Sequence, residues 1–130
     1  MTTDAYAAVV LAFVRAFERG DLAALADLLG DSFVGHITTA DGGVRVVGRD
    51  GYLESVRSMD VVGAHLRVEV PNVVVVEPGR VLVMVEVHAR KGDRSLHNFS
   101  GQLATVVDGT LTELWMVDAL PSESDEFWSS

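Results

Sequence analysis

The sequence contains no cysteine, and its 130 residues carry only 10 Lys and Arg against 19 Asp and Glu. Without cysteine there is neither a disulfide framework nor thiolate chemistry. The formal net charge of −9 repels phosphate backbones and anionic lipid surfaces, so neither nucleic acid nor a membrane is an expected partner. The sequence also lacks an apolar run long enough to span a bilayer.

The N-terminal segment lacks the basic residues that begin a secretory signal, and the acidic residue Asp4 lies there instead. Together with the absence of cysteine, this predicts a cytoplasmic protein. The length is that of one domain, residues 1–130, and a hydrophobic content of 48% is sufficient for a core. The expected partner is a small molecule, a second copy of the chain, or both.

Hydrophobic periodicity predicts three helices in the first half of the chain. Apolar residues recur at helical spacing over residues 9–17, and Gly20 ends this helix. Asp21 caps a short second helix over residues 22–29. A third helix is predicted over residues 52–59, with Asp50 as its N-cap.

Most of the remaining chain alternates in the manner of β-strands. Short strands are predicted over residues 33–38 and 44–47, and long ones over residues 65–76, 81–90, 96–107 and 111–118. Pro71 and Asn72 interrupt the first long strand, which indicates a bulge or an edge position. Helices followed by an antiparallel sheet predict an α+β fold. We expect a curved, cone-shaped antiparallel sheet with the three N-terminal helices packed on its concave face.

The last ten residues, 121–130, form an acidic C-terminal tail that ends in Phe127, Trp128 and two serines. Its acidic side chains are expected to be solvated. The two aromatic rings are expected to dock on the body of the domain or on a second subunit.

The run over residues 81–88 has valine at every odd position, and Leu82, Met84, Glu86 and His88 at the even ones. Alternate side chains of a strand point to opposite faces of the sheet. The even face begins apolar and ends with a carboxylate beside an imidazole, which favours a face that lines a cavity. Glu86 and His88 are therefore the first candidate site residues.

Four local motifs stand out: F-x-R-G-D-L-x-A-L-A-D-L-L over residues 17–29, D-S-F-V from Asp31, G-R-D-G-Y over residues 48–52, and D-G-x-L-T-E-L-W-x-V-D over residues 108–118. With the order of elements, they resemble the nuclear transport factor 2-like superfamily, and most closely its SnoaL-like and ketosteroid-isomerase-like branch. The resemblance covers nearly the whole chain. It implies a cone-shaped α+β fold, a buried pocket and a homodimer through the sheet. The superfamily contains isomerases, cyclases, epoxide hydrolases, dehydratases and binding domains, so no single activity follows.

The resemblance also implies that the catalytic groups of ketosteroid isomerases are replaced here. Phe13 stands at the tyrosine position, His36 at the proton-shuttling aspartate and Gln102 at the second acid. Steroid isomerisation is therefore not expected. The Asp-Arg-Asp set of limonene-epoxide hydrolases is not found either, because Met116 stands at its last-strand position. SnoaL-like cyclases use a His or Asp acid/base, with which His36 is compatible.

The same alignment predicts which side chains look into the cone. The catalytic candidates are His36, Glu86, His88 and Asp118; the substrate-binding candidates are Phe13, Met84, Gln102, Leu114 and Met116. On the penultimate strand, a one-residue slip near Asp93 would exchange Gln102 and Ala104 for Leu103. His97 and Trp115 fall on the outer face, where they are expected at the homodimer interface.

The predicted function is acid/base chemistry without a cofactor on a mostly apolar small molecule: isomerisation, cyclisation, dehydration or water addition. Burial and neighbouring charge bring carboxylate and imidazole pKa values toward the working pH. His36 would be the general acid or base, with Glu86, His88 and Asp118 as its partners. The alternative is a non-catalytic ligand-binding or dimerisation domain.

The candidate residues also have structural interpretations. Glu86 and His88 could lie on the other face as polar groups at a dimer interface. His36 could be a hydrogen-bonded core histidine, and Asp118 could cap the last strand. Two His with Glu and Asp could ligate a metal, but their spacing is not a known signature, so no metal is predicted.

Overall fold

The structure, a computed structural model, describes residues 2–129 and contains four helices and six strands within them. In chain order these are α1 (Thr3–Arg19), α2 (Leu22–Leu28), β1 (Leu29–Thr38), β2 (Val44–Gly48), α3 (Arg49–Met59), β3 (Arg67–Glu77), β4 (Arg80–Lys91), β5 (Arg94–Val107), β6 (Thr110–Asp118) and α4 (Pro121–Trp128). The strands form one curved sheet in the order β2-β1-β6-β5-β4-β3. The predicted α+β cone is confirmed, but the sheet is mixed because β1 and β6 run parallel.

The helix boundaries follow local signals. Gly20 adopts a left-handed conformation, with φ of 66°, and ends α1, while the Asp21 carboxylate accepts a hydrogen bond of 3.1 Å from the Ala24 N–H. Both features were predicted. The third helix begins at Arg49, earlier than expected, and Asp50 lies in its first turn; the N-cap is Gly48, which provides no side-chain cap.

The sheet is covered by helices on its concave face, and the core lies between the two layers. The odd-numbered residues of β4 face this core: Val81, Val83 and Val85 are at most 2% exposed. The N-terminal helices supply Phe13, Leu25 and further buried apolar residues opposite them. The uniform β-branched face of this strand is therefore the core face.

The register between β4 and β5 decides which side chains share a face. The two strands pair from Lys91 and Arg94 outward, on either side of the Gly92–Asp93 turn. Val83 is consequently paired with Gln102, and paired residues on neighbouring strands point to the same side of the sheet. The prediction that the even-numbered residues of both strands face inward is therefore wrong for β4.

The strand β3 lies at one edge of the sheet and contains a register shift between Glu69 and Asn72, so the predicted bulge and edge position are both found. Side chains of α1 cap its backbone at Val68. The Val68 N–H donates to Glu18 Oε2 at 2.6 Å, and the Val68 carbonyl accepts from Arg15 Nη1 at 2.7 Å. Two side chains of α1 thus occupy hydrogen-bonding positions that an added strand would otherwise take.

The acidic C-terminal segment forms the helix α4, also on the concave side; Ser130 lies outside the described residues. Phe127 is 5% exposed, and its ring packs edge-on against Trp128 with centroids 4.8 Å apart. The Lys91 ammonium lies 5.1 Å from the centre of the Phe127 ring, close enough for a cation–π interaction. The structure therefore shows these aromatics docked on the body of the domain.

We expect Phe127→Ala to lower the free energy of unfolding by about 3 kcal/mol, because it removes a buried ring and leaves a cavity. Glu123→Ala is the matched control, since Glu123 is exposed on the same helix and should change stability by less than about 0.5 kcal/mol. Urea unfolding of both variants measures the difference. Equal losses would show that α4 does not dock through Phe127.

Candidate functional site

A cavity of about 440 Å³ lies between the helices and the inner face of the sheet. This volume falls within the range of small-molecule pockets. A smaller cavity of about 30 Å³ adjoins it toward α1, and the two share Phe17, Tyr52, Val87, Gln102 and Met116 as lining residues. The sheet and the helices thus bound a partly open space that is large enough for an organic molecule.

Apolar side chains make up much of the wall of the larger cavity. Phe17 comes from α1, Val56 and Met59 come from α3, and Leu96 and Met116 come from β5 and β6. They belong to the faces that the amphipathic helices and alternating strands turn inward. The wall therefore favours a mostly apolar ligand.

A stripe of three polar side chains runs along the inner face of β5. Asn98, Ser100 and Gln102 are all less than 9% exposed, and all line the cavity. Asn98 is saturated: its amide donates to the Leu120 carbonyl at 3.0 Å and to Ser124 Oγ at 2.7 Å. Asn98 therefore ties β5 to α4, while Gln102 Oε1 remains available to a ligand.

Two buried oxygens on the cavity wall, the Tyr52 hydroxyl and Gln102 Oε1, have no hydrogen-bond partner among residues 2–129. An unsatisfied buried polar group costs about 1–3 kcal/mol. Burial raises the pKa of the Tyr52 hydroxyl, which keeps it protonated as a hydrogen-bond donor. Polar atoms of a ligand would satisfy these groups.

The tyrosine is held firmly in place. Its ring centroid lies 5.9 Å from that of Phe13 on α1 and 5.5 Å from that of Phe33 on β1. These separations are typical of packed aromatic pairs. The contacts fix the hydroxyl of Tyr52 relative to the sheet.

The carboxyl group of Asp118 also lines the cavity, at the end of β6 and opposite Ser100. The Asp118 backbone N–H donates to Thr38 Oγ1 at 3.2 Å, which anchors this end of the strand to β1. Burial raises the pKa of the Asp118 carboxyl, and the charge of Asp125 adds to this rise; the Ser100 and Ser124 hydroxyls oppose it. The cavity therefore holds one carboxyl group whose environment favours retention of a proton.

The structure places five of the predicted site residues on the concave side. Gln102, Met116 and Asp118 line the large cavity, and Phe13 lines the small one. Leu114 is only 1% exposed and belongs to the core, but lines neither cavity. The inward faces expected for β5 and β6 are therefore those observed, and the chemical roles of these residues stay predictions.

The remaining four candidates do not lie in the cavity, so their predicted placement is wrong. His36 belongs to the convex face: its ring stacks on Trp115 at 4.0 Å, and its Nε2 lies 3.2 Å from Glu113 Oε2. The parallel pairing of β1 with β6 sets His36 beside Trp115, which the antiparallel expectation could not anticipate. None of His36, Met84, Glu86 and His88 converges with Asp118.

Met84, Glu86 and His88 lie on the convex face because the odd-numbered residues of β4 occupy the core. Glu86 Oε2 lies 2.5 Å from His97 Nε2 and 3.4 Å from His88 Nε2. The hydrogen bond with His97 lowers the pKa of the Glu86 carboxyl, as does the charge of His88. Within residues 2–129, these three side chains are the one group of three potential metal ligands whose ligand atoms converge, all within 4.8 Å.

Sequence reasoning missed Tyr52, Asn98 and Ser100 as cavity residues. Tyr52 ends the G-R-D-G-Y motif, so its motif position was a usable signal. Asn98, Ser100 and Gln102 alternate along one strand, and this period of two places all three on the face already assigned to Gln102. The contact of Ser124 with Asn98 is long-range and left no local signal.

The family model for the SnoaL-like domain matches residues 10–114. The chain belongs to the SnoaL-like domain family. No curated protein sequence matches this SnoaL-like domain significantly. No helix among residues 2–129 is long and apolar enough to cross a membrane.

Solved structures with the same fold include three of similar size. Bal32a, from a soil-derived mobile gene cassette, has a TM-score of 0.79 at 19% identity, covering 96% of this chain and 97% of that one. An LEH-like epoxide hydrolase from M. tuberculosis has a TM-score of 0.76 at 17% identity, covering 98% of this chain and 91% of that one. IdmH from Streptomyces antibioticus, described as a candidate polyketide cyclase, has a TM-score of 0.73 at 18% identity, covering 93% of this chain and 96% of that one. At these identities the likeness shows the fold alone.

The raised pKa of Asp118 predicts a pH effect on stability. The carboxyl binds its proton more tightly in the folded state than in the unfolded chain, where its pKa is near 3.8. This contribution to stability is therefore complete below 3.8 and is lost as the pH rises through the folded-state pKa. We expect Asp118→Asn to flatten the fall in stability between pH 3.8 and the folded-state pKa, and to raise the free energy of unfolding at neutral pH.

Urea unfolding of the wild type and of Asp118→Asn, between about pH 4 and pH 8, measures this effect. Asp50→Asn is the control, because the Asp50 side chain is 98% exposed and should leave the shape of the curve unchanged. Parallel curves for Asp118→Asn and the wild type would contradict the desolvation of Asp118.

Proposed function

We propose that this SnoaL-like domain is an enzyme that moves protons within a mostly apolar small molecule, with Asp118 as the acid/base group. One observation carries the proposal. A carboxyl group with a raised pKa faces the same cavity as the unpaired oxygens of Tyr52 and Gln102. Acid/base catalysis is efficient when the pKa of the catalytic group approaches the working pH.

The roles follow from the hydrogen-bonding capacity of each group. Protonated Tyr52 would donate to a carbonyl or epoxide oxygen of the substrate and stabilise the negative charge that develops there. Asp118 would take a proton from an adjacent carbon or from water, and later return it. The apolar wall excludes water and strengthens these interactions. Isomerisation, cyclisation, dehydration and water addition all need these steps.

The alternative function is ligand binding without chemistry. The unpaired oxygens of Tyr52 and Gln102 would serve a polar ligand equally well if no proton moved. Ser124, which Asn98 holds at 2.7 Å, also opposes the rise in the pKa of Asp118. Under either function, we propose the cytoplasmic location that the sequence predicts.

A panel of hydrophobic ketones and epoxides, followed by NMR for binding and by mass detection for turnover, separates the two functions. We expect Asp118→Asn to bind its ligand but to reduce kcat by about 10²- to 10⁴-fold, the usual contribution of a general acid or base. Glu123→Gln is the matched control, since Glu123 is an exposed carboxylate on α4 that does not line the cavity. Binding without turnover across the panel, or equal turnover by both variants, would favour the binding alternative.

We further infer that the protein is a homodimer through the convex face of the sheet. One cross-strand row on this face spans all six strands through successive paired residues. Its members are Val74, Leu82, Leu103, Trp115, His36 and Val46. Helices cover the opposite face only, so this apolar row faces outward.

Neighbouring positions extend the row into a surface. Met84, Phe99 and Val117 are 36%, 42% and 50% exposed, and Trp115 is 37% exposed. Contiguous apolar surface of this kind marks interaction sites in soluble proteins. A second copy of the same face is self-complementary about a two-fold axis, which supports the dimer expected from Trp115 and His97.

We expect Leu82→Asp to dissociate the dimer, because it buries a carboxylate without a partner in an apolar interface. Val62→Asp is the control: Val62 is 67% exposed and lies outside the sheet, so it should keep the wild-type mass. Size-exclusion chromatography with light scattering gives the mass of each. A wild-type monomer, or a dimer that Leu82→Asp leaves intact, would refute this interface.

A further inference from the structure

We propose that Glu86, His88 and His97 form a binding site for a divalent transition-metal ion, with Zn²⁺ as the expected occupant. The site lies on the convex face, on the opposite side of the sheet from the cavity, and does not rest on the proposed catalytic function. Its three ligand atoms are His88 Nε2, His97 Nε2 and a Glu86 carboxylate oxygen, all within 4.8 Å of one another.

The backbone of two central strands presents these ligands. His88 and His97 are direct cross-strand partners, and Glu86 precedes His88 by two residues on the same face. The β4–β5 pairing is continuous from this point to the Gly92–Asp93 turn. A metal ion would therefore bind to a formed framework, with little backbone ordering to offset its affinity.

The ligand chemistry suits zinc. Two imidazole nitrogens and one carboxylate oxygen are a frequent protein ligand set for Zn²⁺, leaving a fourth position for water. Both imidazole Nε2 atoms already lie near the same oxygen, Glu86 Oε2, at 2.5 Å and 3.4 Å. The metal would replace the hydrogen-bonded proton between Glu86 and His97 as the centre on which the three groups converge.

Binding requires one local adjustment. The rings of His88 and His97 are stacked, with centroids 4.6 Å apart and planes at 9°, and the lone pairs of two parallel rings do not meet at one ion. One ring must therefore rotate about its side-chain torsions. The side chain of His97 is 56% exposed, so it has the space to turn.

Charged side chains of both signs surround the site. Arg67 lies opposite His88 on β3, and its Nε is 3.6 Å from Glu69 Oε1. Glu69 in turn lies opposite Glu86, and Arg90 follows His88 by two residues on the same face of β4. Two carboxylates and two guanidinium groups therefore balance each other, so the affinity for a metal ion would come from direct ligation by the two histidines and Glu86.

The cluster borders the proposed dimer surface. Glu86 is two residues along β4 from Met84, and its cross-strand partner Phe99 also belongs to that surface. His88 is six residues along β4 from Leu82, which corresponds to about 20 Å in an extended strand, so a metal at the cluster would bind at the edge of the interface nearest the β4–β5 turn.

Calorimetric titration of the full chain with ZnCl₂ at neutral pH tests the site. We expect one ion per chain, and a loss of affinity of at least about tenfold in each of Glu86→Gln, His88→Gln and His97→Gln. His36→Gln is the matched control: it removes a histidine that also pairs with a glutamate, Glu113, on the same face, but in a group of two ligands. It should bind Zn²⁺ as the wild type does.

A second measurement needs no variant. Sub-stoichiometric Cu²⁺ should broaden the ring NMR signals of His88 and His97 in the wild type, and leave those of His36 and His65 sharp. Zinc affinity that the three variants share with the wild type, or equal broadening of all four histidines, would overturn the proposal. An absence of Zn²⁺ binding to the wild type would overturn it as well.

Discussion

The pairing of β4 with β5 about the Gly92–Asp93 turn is the constraint on which both faces of the protein depend. A two-residue turn pairs odd-numbered residues of one strand with even-numbered residues of the other, as Val83 with Gln102. The valines of β4 and the polar stripe of β5 are thereby turned to the same side, which makes a core and a cavity wall. Glu86, His88 and His97 are gathered on the other side by the same register.

The polar residues divide between the faces according to what each environment tolerates. The cavity is lined by neutral amide and hydroxyl groups and by the partly buried carboxyl of Asp118, while the charged side chains of Arg45 and Asp125 line it from exposed positions, because an unpaired charge in an apolar space is costly. The convex face carries three of the four histidines, His36, His88 and His97, each near a carboxylate. Asp118 is the cavity carboxyl whose pKa burial raises, which suits it to proton transfer.

The sequence was informative wherever the signal was local. Gly20, Asp21 and the Pro71–Asn72 interruption correctly predicted a helix end, a cap and a bulged edge strand, since each acts through its own backbone. The prediction that even-numbered residues of β4 face inward was wrong because each strand was interpreted alone. The two-residue turn at residues 92–93 already implied that odd-numbered residues of β4 pair with even-numbered residues of β5. His36 was misplaced for a different reason, because its parallel contact with Trp115 joins residues nearly eighty positions apart.

The helix α4 links the site to the C-terminal segment, and its influence on Asp118 is electrostatic. Ser124 and Asp125 both belong to α4, and they shift the pKa of Asp118 in opposite directions. The helix is held by the Asn98 amide and by a hydrogen bond of 3.2 Å from the Ala40 N–H to Asp125. A ligand that moved α4 would therefore change the proton affinity of Asp118. The position of this helix, as well as the depth of the cavity, sets the acid/base strength available to the site.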